Sequence, residues 1–200
     1  MVPGGRPVPG GGPGQDAFTY SGNYYLYFHG GYIMVDANGD GIDVNGAIEM
    51  TGGIVLVSGP TEQMNGAVDY DASFTMTGGL LVAAGSSGMA QAPGVSSGQS
   101  SVLIYLDAIQ PAGALVHIQN SAGEDILTFS PTKVYQSIAL SSPELVNGET
   151  YEIYIGGIST GTVNDGLYEG GTYTPGAQYS SFTSSSVVTT VGTGGNRRRP

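Results

Sequence analysis

The chain of 200 residues carries 35 glycines, no cysteine and only 10% charged residues, with a formal net charge of −11. The missing cysteines exclude a disulfide framework and any thiolate metal site. The acidity disfavours nucleic acid as a partner, because phosphate backbones would be repelled, and it favours divalent cations.

In chain order, the N-terminal stretch "MVPGGRPVPGGGPGQ" lacks the apolar core of a signal peptide, so the expectation is that a signal has been removed or that the chain is a fragment. Residues 1–16 read as a disordered Pro/Gly-rich arm. Arg197, Arg198 and Arg199 cluster at the other end, which leaves Arg6 and Lys133 as the basic residues of the body. No apolar run reaches the roughly 18 residues a membrane-spanning helix needs. The Gly/Ser/Thr/Tyr-rich, lysine-poor composition suggests a secreted bacterial protein, extracellular or at the cell surface.

Residues 17–99 hold a repeat. The pair Gly-Gly recurs at 30–31, 52–53 and 78–79, offsets of 22 and 26 residues. Aligned on it, Leu26, Ile48 and Phe74 share a column. So do Phe28, Met50 and Met76; then Tyr32, Ile54 and Leu80; then Met34, Leu56 and Val82. Tyr27, Glu49 and Thr75 stand between apolar columns. This is strand alternation at a nearly fixed length, and it predicts about three coils of parallel β-helix with the glycines at the bends. An antiparallel meander is the alternative.

Within the first coil, "DANGDGIDVNG" (36–46) begins like an EF-hand loop, with Asp36, Asn38, Asp40 and then Gly41, but Ala47 stands where the closing Glu belongs. The repeat offers another reading. Asp43 aligns with Asp69, and Asn45 with Asp71, so carboxylates on adjacent coils would lie about 5 Å apart. Like charges at that spacing call for a cation between them. The expected calcium ligands are therefore Asp36, Asn38, Asp40, Asp43 and Asn45 from one coil and Asp69 and Asp71 from the next. Asn and Asp also cap turns, and Asn ladders stabilise solenoids, without any metal.

Beyond Ser100 the repeat stops. Strand-like runs follow at 101–107, 114–120, 125–130, 134–140, 150–157 and 179–191, separated by "PAG", "SAGE", "SPT" and "VNGE". Over residues 100–191 they predict an antiparallel sheet or sandwich-like cap on the open end of the coils. Residues 192–200 read as a disordered tail. The opposite end, at Tyr24–Phe28, shows no cap, and a missing segment or a second subunit would cover it.

The segments "DANGDGIDVNG", "GGIVLVSGP", "NGAVDYD", "GGLLVAAGSSGMAQAP", "SPTKVYQSIALSSPELVNGETYEIYIGG" and "SSFTSSSVVTT" resemble the secreted clostridial and related bacterial carbohydrate-binding domain-containing proteins, over roughly residues 20–191. The resemblance implies a right-handed parallel β-helix, related in fold to polysaccharide lyases, with calcium at Asp36–Asp43 together with Asp69 and Asp71. It also implies binding, rather than cleavage, of cellulose or acidic sugars such as pectin. Family members carry earlier coils before the Pro/Gly-rich stretch that begins this chain.

Three functions compete. The first is a non-catalytic polysaccharide-binding module, for a plant cell-wall or matrix polysaccharide, in which calcium bridges carboxylates of protein and sugar. Tyr25 and Tyr27 should point outward beside Ala47 and Glu49, and Tyr32, Tyr70, Tyr168, Tyr173 and Tyr179 are further stacking candidates. The second is a calcium-dependent lyase, which needs a base to take the C5 proton. The coils hold no Lys or Arg; His29 reads as a corner residue and His117 as a surface one, so the expectation is that the chain is not an enzyme. The third is a subunit that self-associates into fibres of a biofilm matrix.

Overall fold

The computed structural model describes residues 24–194. The predicted arm at 1–16 and residues 195–200 of the predicted tail lie outside the described residues. Every regular element is a strand.

The repeat folds as three successive passes of the chain. The first contributes β1 (Tyr25–Phe28), β2 (Tyr32–Asp36) and β3 (Ile42–Val44). The second contributes β4 (Ala47–Met50), β5 (Ile54–Ser58) and β6 (Val68–Tyr70). The third adds β7 (Ser73–Met76) and β8 (Leu80–Gly85). Equivalent strands pair in parallel, as β1-β4-β7, β2-β5-β8 and β3-β6. Leu26, Ile48 and Phe74 are register partners, and Phe28, Met50 and Met76 form the next inward column. Ile48, Met50, Phe74 and Met76 meet Val55, Val57, Leu81 and Ala83 from the second sheet and Ile42 and Val68 from the third in one buried cluster. Each such side chain contributes about 1.5–3 kcal/mol when fully buried.

The Gly-Gly bends carry the stack because the passes nearly touch there. Gly53 has φ +91, and a Cβ on it would sit 2.7 Å from the carbonyl carbon of Gly30. Only glycine meets both requirements at low cost.

The second half consists of β9 (Ser101–Gln110), β10 (Val116–Asn120), β11 (Asp125–Phe129), β12 (Tyr135–Ser141), β13 (Thr150–Ser159), β14 (Thr162–Asn164), β15 (Leu167–Glu169), β16 (Tyr173–Thr183) and β17 (Val188–Val191). It is not only a lid on the coils. Strand β12 pairs antiparallel with β8, and β9 and β17 follow, giving a six-stranded sheet ordered β17-β9-β12-β8-β5-β2. A second six-stranded sheet, antiparallel throughout and ordered β14-β15-β11-β10-β13-β16, packs on its far face. The first sheet is a wall shared by two cores. Leu56, Val82 and Ile104 face Ile118, Phe129 and Ile153, while Val55 and Leu81 face the interior of the passes. Burial on both faces accounts for the unbroken apolar runs of β5 and β8.

Two strand expectations change. The run 179–191 breaks into β16, which starts earlier at Tyr173, and β17, which joins the other sheet. A hairpin of β14 and β15 appears where none was expected; it turns through Asp165 (φ 47) and Gly166 (φ 86).

The two ends of the three passes differ. At the third pass β12 covers the edge of β8, while Gly94 and Gly98 donate amide hydrogens to the carbonyls of Phe74 and Met76 at 2.7 and 2.9 Å. At the first pass Leu26, Ile33, Met34 and Val35 are only half-buried, whereas Ile48 and Val55 directly beneath Leu26 and Ile33 are 1% exposed.

Candidate functional site

Two features stand on the outside of the passes, one acidic and one aromatic. The acidic feature lies along β3 and β6. Asp43 and Asp69 are register partners. The ladder continues past them, with the Asp71 amide donating to the Val44 carbonyl and the Ala72 amide to that of Gly46. Asn45 and Asp71 therefore follow as neighbours. Burial holds the Asp43 carboxyl above its ordinary range, and the charges of Asp40 and Asp71 push the same way. The Asp69 Oδ1 accepts from Gln91 Nε2 at 3.3 Å. Asp40 Oδ1 accepts the Gly66 amide at 2.7 Å, which ties the first pass to the second.

Asp36 is drawn away from this group. Its carboxylate accepts from Lys133 and, at 2.6 Å, from Thr132 Oγ1, both on the β11–β12 connection. These two donors, Lys133 above all, hold its carboxyl below the ordinary carboxylate range. Asn38 is exposed at the tip of the loop. The structure thus brings Asp40, Asp43, Asn45, Asp69 and Asp71 to one side and separates Asp36 from them. Among the described residues no three His, Cys, Asp or Glu side chains stand close enough to hold one metal between them. Carboxylate and amide oxygens are the hard donors that calcium takes; Asp36, already neutralised by Lys133, stands apart from the group.

The aromatic feature is on β1. Tyr25 and Tyr27 are 57% and 52% exposed, beside Ala47 and Glu49 of the next pass. Their rings lie 6.1 Å apart with planes 12° from parallel, and His29 continues the row at 5.7 Å and 21°. His29 Nδ1 also lies 3.0 Å from Thr51 Oγ1, as suits a residue at a corner. Alternate residues of a strand share a face, so a Tyr-x-Tyr-x-His sequence builds this row locally.

Four of the other candidate tyrosines are engaged elsewhere. Tyr32 donates its hydroxyl to the Asn164 carbonyl at 3.1 Å, beside the β14–β15 turn. Tyr70 is half-buried, packs edge-on against Phe74 and donates to the Ala92 carbonyl at 2.8 Å, so its face is not offered to a ligand. Tyr179 donates to the Tyr105 carbonyl at 2.9 Å, and Tyr173 donates to that of Gly156 at 2.7 Å.

His117, expected at the surface, is fully buried. Tyr173 stacks over its ring at 3.8 Å. Its Nδ1 lies 2.7 Å from Thr128 Oγ1, and its Nε2 lies 3.2 Å from Gln119 Oε1 and 3.5 Å from Asp125. Hydroxyl, imidazole and carboxylate stand in the order of a nucleophile triad, but Thr128 is 5% exposed and the imidazole has no path to a substrate. Sequence reading also missed a cleft of about 490 Å³ between the two six-stranded sheets, with Ile54, Leu80 and Leu127 inside and Glu144, Tyr168 and Glu169 at its rim.

No family model, no curated protein and no solved structure matches the chain.

Proposed function

We propose that the chain is a non-catalytic, extracellular polysaccharide-binding module, built on a right-handed parallel β-helix and stabilised by calcium. The exposed row Tyr25, Tyr27 and His29 carries this reading. Nearly parallel, exposed rings at regular spacing on a rigid strand offer a ladder of aromatic edges and outer faces to a sugar chain, and aromatic area held on two torsions loses little entropy on binding. Parallel pairing of equivalent strands, with a glycine bend at each pass, supports the helical form of the repeat.

Calcium is assigned to Asp43 and Asp69, with Asp71 and Asn45 beside them. The ion relieves their mutual repulsion and retains open positions for the carboxylate of an acidic sugar such as pectin, which a chain of net charge −11 would otherwise repel. In this reading the protein's own residues bind and orient the sugar and do not cleave it.

The test is retention on insoluble cellulose and on pectate. The double substitution Tyr25→Ala and Tyr27→Ala is expected to abolish retention at unchanged melting temperature, and full retention by that variant contradicts the reading. The half-exposed core columns of the first pass favour a second reading, self-association through that end into a matrix assembly. Sedimentation that stays monomeric with calcium present removes it.

A further inference from the structure

Four Asn-Gly pairs occur in the chain, at 38–39, 45–46, 65–66 and 147–148. Such pairs are chemically labile, because glycine leaves its amide nitrogen unshielded beside the asparagine side chain. The fold treats the four differently. The Gly46 amide donates to the Val44 carbonyl at 2.6 Å, and the Gly148 amide to that of Ser184 at 2.5 Å. The Gly66 amide donates to Asp40 Oδ1 at 2.7 Å. Gly46 is also wedged in place, since a Cβ there would lie 2.0 Å from the Tyr24 carbonyl oxygen. By contrast, the Gly39 amide makes no hydrogen bond among the described residues, Asn38 and Gly39 are both exposed, and a Cβ on Gly39 would meet nothing within 4 Å.

We infer that Asn38 is a site of spontaneous deamidation, selected by the fold from among the four pairs. The Gly39 amide nitrogen, losing its proton to solvent base, attacks the side-chain carbonyl carbon of Asn38. The bond from that carbon to the side-chain nitrogen breaks, ammonia leaves, and a five-membered succinimide forms. Water then opens the ring at either carbonyl, leaving aspartate or isoaspartate at position 38. Nothing is oxidised or reduced, and water is the only co-reactant. In the other three pairs the attacking nitrogen first has to surrender a backbone or carboxylate acceptor, so reaction waits on local opening. The conversion adds a negative charge between Asp36 and Asp40, next to the proposed calcium ligands, and the isoaspartate form also lengthens the backbone of the loop. The selection of Asn38 itself does not depend on the calcium reading.

The test is to age the whole chain in heavy-oxygen water at mildly alkaline pH with chelator present, then map peptides by mass spectrometry. Heavy oxygen should enter at Asn38 first, on the order of tenfold ahead of the three protected pairs. In denaturing urea the four should converge. Gly39→Ala, which the open surroundings and ordinary φ tolerate, should slow the reaction at Asn38 without changing the melting temperature. Comparable native rates at all four pairs, or a lead for Asn38 that survives in urea, would overturn the inference. So would a Gly39→Ala variant that deamidates as fast as the parent.

Discussion

Asp43 and Asp69 stand side by side as register partners on adjacent parallel strands, and burial first, then the charges of Asp40 and Asp71, raise the Asp43 carboxyl. A folded state that holds like charges together gives up stability wherever both are ionised. The folded Asp43 carboxyl lies above its unfolded value, so the folded state takes up a proton first as pH falls, and the penalty is present at neutral pH and relieved below the folded pKa. Asp43→Asn should therefore melt higher than the parent in chelator at neutral pH, with the difference closing toward pH 4 and below. Calcium should raise the melting temperature of the parent and not of the variant. A parent with no calcium-dependent shift argues against an ion at this pair.

His117 predicts a slope of the opposite kind. Burial holds its folded pKa below the ordinary imidazole value, with Gln119 and Asp125 partly offsetting that. The unfolded chain thus binds the proton first as pH falls through about 6.5. Stability from this site is full above that pH and is lost below it. Urea melts between pH 7.5 and about 5.5 should show the decline in the parent and a flatter profile in His117→Gln. Equal slopes in the two proteins would remove the assignment.

Phe74 is fully buried at the base of the Leu26–Ile48 column. Truncation there leaves a cavity between passes that the stacked strands cannot close, and Phe74→Ala should cost about 3–5 kcal/mol in denaturant melts. Thr75→Ala, one residue on and facing outward, should cost under about 0.5 kcal/mol.

Gly53 combines a left-handed backbone with direct contact to the pass above. Gly53→Ala should destabilise by more than about 1 kcal/mol. Gly39→Ala, with open space around it, should not.

The passes were legible because a repeat of nearly constant length writes its register into the sequence. Leu26, Ile48 and Phe74 align by offset and also pair in space, as do Asp43 and Asp69. The shared wall was harder to read. The runs "IVLV" and "LLVAA" are apolar on both faces, and that signal is stronger than a coil with one wet face requires. The burial of His117 depends on Tyr173 folding across it from β16, and the loss of Asp36 from the acidic group depends on Lys133 in the β11–β12 connection. Local alternation carries no trace of such distant pairs. Tyr70 was a stacking candidate by residue type alone; its partner Ala92 comes from the irregular segment laid over the third pass. The β14–β15 hairpin did carry a local sign, the "NDG" turn, which favours positive φ at its centre.

The most direct test of the central claim is a binding isotherm on calcium pectate and on cellulose, measured for the whole chain with calcium and again with chelator. The account predicts saturable binding to pectate in calcium that is lost in chelator and lost on Asp43→Asn. Pectate binding indifferent to chelator, or no binding to either polysaccharide in any condition, would contradict it.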